Sequence, residues 1–342
     1  MIGERVRLAR EACRLTQIEL SDLAGISQGT LSDLEAGRIM VPSDEVVEAV
    51  SRTTQFPVAF FSRGPLPDIP EGNYRKLKRG KSKISKQIRA QIRAVVEIVQ
   101  SAEEVLQLPS VSLSPVDDLK GDLEELEECT QALRQKLGVG GRDPIPNLTR
   151  ALERTGTVVV RLPTEMEDHD GFSVWPDFGL GGRPIIAISN GNPGDRDRFN
   201  MAHETGHLVL HTRRDVADPD RAEREANRFA GALLLPEEAA REAIRPPITL
   251  RVLMAVKATF GTSIAMNAQR AKDLRLISDQ QFVSLRRQIS ARRWTRQEPV
   301  EVTPERPILI AKILSVAGSD GSTVRMAERN LLPPMIYRAL TA

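Results

Sequence analysis

The chain has 342 residues, 40% of them hydrophobic and 27% charged, which is enough for two or three folding units and excludes a disordered or fibrous chain. Its 48 Lys and Arg nearly cancel 46 Asp and Glu, so the net charge of +2 identifies no partner by itself. No apolar run approaches the ~20 residues of a membrane span, the N-terminus is charged at once, and Cys13 and Cys129 are too few for a disulfide framework or thiolate cluster, so a cytoplasmic protein is expected.

Residues 1–62 read as a set of short helices. Leu8 and Ala12 repeat at helical spacing, and Thr16-Gln17-Ile18-Glu19 forms a capping box that starts a second helix through Leu23. Ala24-Gly25-Ile26 supplies a tight turn, Ser27 caps a third helix over residues 28–35, and Gly37 is placed for its C-terminal cap. Two short helices joined by a Gly turn make a helix-turn-helix, with Leu20, Leu23, Ile26, Leu31 and Leu34 as the predicted core.

Arg5, Arg10, Thr16-Gln17, Gly25-Ile26-Ser27, Leu31-Ser32 and Glu35-Ala36-Gly37 together resemble the Cro/repressor-type (XRE-like) DNA-binding domains. The resemblance implies that the third helix enters the major groove and that Gln28, Thr30 and Ser32 reach base edges, with Gln17 suited to phosphate or flanking contacts. It also implies DNA as a partner, and a homodimer is the form in which such domains often bind. Two residues depart from the family pattern. Ser21 stands where Ala is common, and Asp33 places an anion on the recognition helix.

Gly64, Pro65, Pro67, Pro70 and Gly72 mark a linker. From 72 to 96 there is no Asp or Glu, while Arg75, Lys76, Lys78, Arg79, Lys81, Lys83, Lys86, Arg89 and Arg93 accumulate. Ile84, Ile88, Ile92, Val95, Val96 and Val99 recur at helical spacing, so these cations line the solvated face of a long helix. That face serves either as a charged surface or as a second DNA contact. After a break at 110–116, a helix is predicted over 116–137. A Gly/Pro boundary at 138–146 precedes a helix at 147–154, strands at 157–160 and 185–188, and a third strand within 170–175.

Asp195 is placed to cap a helix that carries His203-Glu204-Thr205-Gly206-His207. Residues four apart share one helical face, so both imidazoles converge on one metal ion, and Glu204 beside them is the general base for water. His211 lies two turns from His203 and is expected beside the ion, not on it. A third ligand is sought in the amphipathic helix 223–236, where Glu223 and Glu225 both border the apolar face and helical geometry does not separate them; His169 is the remaining histidine. Zinc is the expected ion, although manganese or another divalent ion suits the same ligands.

Asp170-Gly171-Phe172-Ser173, Arg198-Phe199, the motif from His203 to His207, Leu210-His211 and Glu225-Ala226-Asn227 resemble the ImmA/IrrE family of metallopeptidases. By that resemblance the Glu directly before Ala-Asn, Glu225, is the third metal ligand. The family's studied members cleave helix-turn-helix repressors or related regulators, releasing stress or mobile-element genes. The expectation is a zinc-dependent endopeptidase fused to a DNA-binding domain. The alternative is a regulator whose peptidase-like domain binds metal or a partner without hydrolysis.

The expected fold is mainly α with a small β-sheet (α+β). Residues 1–64 form the helix-turn-helix bundle, 65–115 a linker with the basic helix, 116–278 the zincin-like metallopeptidase domain, and 279–342 a helical C-terminal region. Helices are expected at 251–260, 265–274, from 279, from 307 and from 322.

Overall fold

The computed structural model describes residues 2–67, 69, 83–163, 171–176, 182–214, 216–295, 297–316 and 331–341. His169, Asp170, the cations from Arg75 to Lys81 and the helix expected from 322 lie outside the described residues. The described residues are mainly helical with one small sheet, and no helix among them is long and apolar enough to cross a membrane. The chain divides into two compact units, one of Met1–Leu108, Val159–Asn190 and Pro307–Ala342, the other of Pro109–Val158 and Gly191–Arg306.

The first unit begins with α1 (Ile2–Ala12), α2 (Gln17–Ala24), α3 (Gln28–Glu35), α4 (Asp44–Thr54) and α5 (Val58–Phe61). The Thr16/Glu19 capping box is present, and Gly25 ends α2 at φ +68°, a left-handed position that costs glycine little. Ser27 accepts from the Thr30 N–H and opens α3. Leu20, Leu31 and Leu34 are buried as expected, and Ile26 is half-buried. Leu23 departs from the expectation and is 66% exposed. The buried arc of α2 is Leu20 and Ser21, and at 100° per residue Leu23 and the exposed Ile18 each fall about 110° from its centre. Ser21 is therefore a small core-facing residue, its hydroxyl donating to the Ile18 carbonyl at 2.8 Å.

The basic helix, α6 (Lys83–Glu103), packs along α1 within this unit. Arg5 donates two buried hydrogen bonds to the Glu97 carboxylate at 2.7 and 3.2 Å, and Gln87 and Gln91 donate to the Ala12 carbonyl. Residues 64–67 are also held, since Arg5 Nε donates to the Gly64 carbonyl and Arg93 Nε to that of Pro67, both at 2.8 Å. Strands β1 (Val158–Leu162), β2 (Gly171–Val174) and β3 (Ile185–Ser189) form a sheet in the order β1-β3-β2. β2 and β3 are antiparallel, with Gly171 opposite Ile188 and Val174 opposite Ile185. β1 and β3 are buried along their whole length, which suits their β-branched runs. Two late helices, α15 (Leu309–Val316) and α16 (Pro334–Thr341), pack on each other, and α15 also touches α6.

The second unit holds α7 (Leu123–Lys136), α8 (Leu148–Arg154), α9 (Gly194–Leu210), α10 (Pro219–Leu234), α11 (Glu237–Ala243), α12 (Leu250–Phe260), α13 (Ile264–Asp273) and α14 (Asp279–Ala291). The helix expected from 116 starts later, because Gly121 sits at φ +78° and Asp122 caps α7 by accepting from the Glu125 N–H. Val116 instead bonds the Val209 carbonyl at 2.9 Å. Asp195 does not cap α9. The cap position is Pro193, and the Asp195 carboxylate pairs at 2.7 Å with buried Lys257, which also meets Glu298 at 2.7 Å.

The most extensive helix packing in this unit is α9 against α10, and Gly206 permits it. A Cβ at that position would stand 3.1 Å from Phe229 Cδ1 and 3.3 Å from Ala226 Cα, tighter than ordinary packing allows.

Candidate metal centre and DNA-facing surface

The close approach of α9 and α10 brings three donor groups together. His203 Nε2 and His207 Nε2 lie 3.1 Å apart, and the Glu223 carboxylate reaches them at 3.3 and 3.4 Å. Ligand atoms around a tetrahedral zinc with bonds of ~2.0–2.1 Å stand about 3.3–3.4 Å apart, so both the spacing and the His/His/Glu chemistry fit such an ion. The site is open on the Glu223 side, where that side chain is 42% exposed. His203 turns its other nitrogen to Asn227 Oδ1 at 3.0 Å, and a neutral ring that donates from Nδ1 there presents an unprotonated Nε2 to the site. Glu204 is buried on the same helix as the two histidines.

Glu225, selected by family resemblance as the third ligand, is placed elsewhere. Two residues apart on a helix point about 200° apart, and the one facing the histidine pair is Glu223. Glu225 receives Arg214, receives Arg221 Nε at 2.8 Å, and meets His211 Nε2 at 3.1 Å. Burial alone would raise its carboxyl, but the bonds from His211 and Arg221 and the charge of Arg214 hold it below its ordinary value. Burial, reinforced by His207, pushes His211 down to about 4 in spite of Glu225. His211 stands beside the metal group, its Nδ1 2.9 Å from His207 Nδ1. Sequence reasoning missed Arg221 and Arg214. Arg221 was findable from its i, i+4 spacing to Glu225, whereas Arg214 comes from beyond the end of α9 and needed the tertiary fold.

In the other unit, the starts of α2, α3 and α6 line one concavity of about 490 Å³. Gln17 and Gln28 both border it, together with Arg7, Arg10, Arg14, Lys83 and Lys86. Gln17 donates to Glu35 at 2.9 Å, and Arg10 clamps the same carboxylate at 2.6 and 2.8 Å. Although burial would raise the Glu35 carboxyl, these bonds bring it below its usual value. Gln28 is exposed, while Thr30 is tied to Ser27 by a hydroxyl contact of 2.8 Å; Thr30 and Ser32 are half-buried and lie outside the concavity. Asp33 is answered by Arg38 Nε at 2.7 Å, which offsets the anion on α3. Lys83 also pairs with Glu19 at 2.7 Å.

Residues 152–272 match a family model described as an IrrE N-terminal-like domain, and residues 2–59 match a helix-turn-helix domain. No curated protein matches the chain. The first match contains α9 and α10 with their histidines and carboxylates, and the second contains the helices that carry Gln17 and Gln28. The chain is thus a metallopeptidase-like regulator that joins an XRE-like helix-turn-helix DNA-binding domain to a domain of the ImmA/IrrE type.

Proposed function

We propose that this protein is a zinc-dependent endopeptidase that works in the cytoplasm, cleaving a transcriptional repressor or related regulator to control stress or mobile-element genes. The observation that carries the reading is the convergence of His203, His207 and Glu223 at the spacing of tetrahedral ligands. In this reading Glu223 replaces Glu225 as the third ligand. When bound, zinc supplies electrophilic polarisation of a peptide carbonyl and makes water more acidic.

The chain's own groups do the rest. Glu204 takes a proton from the attacking water and returns it to the departing amine. Asn227 holds the His203 ring with Nε2 toward the site. Residues 1–64 bind an operator through Gln17, Gln28, Thr30 and Ser32, as a homodimer on two half-sites. The family matches fall inside the segments 1–64 and 116–278, whereas the compact units are divided differently: the chain up to Leu108, Val159–Asn190 and the residues from Pro307 belong to one unit, and Pro109–Val158 with Gly191–Arg306 to the other. Joining the two activities raises the concentration of peptidase near an operator-bound substrate.

The test is elemental analysis of the purified protein followed by comparison of new protein N-termini in cells. Wild type should hold about one zinc, Glu223→Ala should lose it, and Glu225→Ala should retain part of it. Glu204→Gln should keep zinc, yet generate none of the regulator fragments that wild type produces. A wild-type protein without bound metal would overturn the reading.

A further inference from the structure

We propose that Glu225 and His211 are positioning residues for the metal centre, acting in series through His207. The Glu225 carboxylate sets which nitrogen of His211 carries the proton, and His211 in turn sets the proton of His207, leaving His207 Nε2 bare for the ion. The inference rests on the reading of His203, His207 and Glu223 as ligands.

Arg214 and Arg221 both donate to Glu225, so its oxygens act only as acceptors. His211 Nε2, 3.1 Å from Glu225 Oε2, must therefore be the donor. A neutral imidazole carries one N–H, so His211 Nδ1 is an acceptor. His207 Nδ1 faces it at 2.9 Å and must donate. The nitrogen of His207 left without a proton is Nε2, the atom that stands 3.1 Å from His203 Nε2 and 3.4 Å from Glu223.

The surroundings of Glu225 are shaped for this outer role. Arg214 also donates to the Leu119 carbonyl and Arg221 to that of Lys120, so the segment before α7 holds the two guanidinium groups against the carboxylate. Gly121 completes the enclosure, since a side chain there would collide with the Glu225 carboxylate. To bind a metal itself, Glu225 would have to leave two cations and a histidine for a third cation. Supporting bonds of this kind orient a ligand ring and raise its basicity, and losing them typically weakens metal binding roughly 10–100-fold.

Zinc affinity, measured by competition with a chelator for wild type, His211→Ala, Glu225→Gln and the double variant, tests the proposal. Each single variant should bind zinc roughly 10–100-fold more weakly. Because the carboxylate acts only through the His211 ring, Glu225→Gln should add no further loss in the His211→Ala background. His211→Asn, whose Oδ1 can stand in for the missing Nδ1 acceptor, should bind more tightly than His211→Ala. The visible bands of the cobalt(II)-loaded protein should shift in both single variants, and the melting temperatures of the metal-free proteins report separately on folding. Unchanged affinity in His211→Ala, additive losses in the double variant, or equal weakness of His211→Asn and His211→Ala would each overturn the proposal while leaving the ligand reading intact. Failure of wild type to bind zinc would instead remove the ligand reading itself.

Discussion

Glu223 and Glu225, two residues apart on α10, serve different histidines: Glu223 meets His203 and His207 at 3.3 and 3.4 Å, while Glu225 meets His211 at 3.1 Å. One carboxylate stands half-open beside the metal group, and the other is buried among arginines. The separation depends on how closely α10 approaches α9.

That approach is set by Gly206. Gly206→Val should push Phe229 and Ala226 away and destabilise the protein by about 1–3 kcal/mol, the usual range for overpacking. Zinc binding should weaken with it, because the same contact positions Glu223 relative to the histidines. Denaturant unfolding and metal titration of the variant check both expectations, and wild-type values for both would contradict the packing argument.

Lys257 forms an ion pair with each of two carboxylates, Asp195 and Glu298, and is itself only 2% exposed. Removing one partner of a buried ion pair leaves uncompensated charge, so Lys257→Ala should lose about 3–5 kcal/mol of stability. The triple replacement Lys257→Met, Asp195→Asn, Glu298→Gln should recover much of that loss, as read by equilibrium unfolding.

The Glu35 carboxyl lies below its ordinary value in the folded protein, held there against burial by Arg10 and Gln17. A depressed acid stabilises the fold above the unfolded value, about 4.3, and this contribution disappears as pH falls through the folded value. Melting temperature followed into acid should therefore drop more steeply for wild type than for Glu35→Gln, which lacks the titrating group. Parallel curves would refute the assignment.

Lys83 and Lys86 bring α6 to the same concavity as Gln17 and Gln28. If duplex DNA lies there, each lysine that neutralises a phosphate contributes about 0.9 to the slope of log affinity against log salt. Lys86→Ala and Lys83→Ala should each flatten that slope for a random-sequence duplex. Gln28→Ala should leave the slope alone and cost about 1–3 kcal/mol of discrimination on a preferred site. Lysine variants with the wild-type slope would remove α6 from the DNA surface.

What was legible from sequence alone was local. The Thr16/Glu19 box, the Gly25 turn and the Ser27 cap are interactions within four residues, and α2 and α3 begin where those residues place them. The pairing of His203 with His207 is equally local, because a helix puts residues four apart on one face. Tertiary structure decided which faces met partners. Leu23 matched the apolar spacing of α2 yet stayed exposed because the neighbouring helices cover the Leu20/Ser21 arc. Asp195 went to Lys257 instead of capping α9, and the chain before Asp122 bonded Val209 instead of starting a helix. The choice between Glu223 and Glu225 belonged to the same class: either carboxylate is compatible with the helix, and only the side of α10 pressed against α9, with Arg214 brought in from beyond the end of α9, determines which one faces the histidine pair.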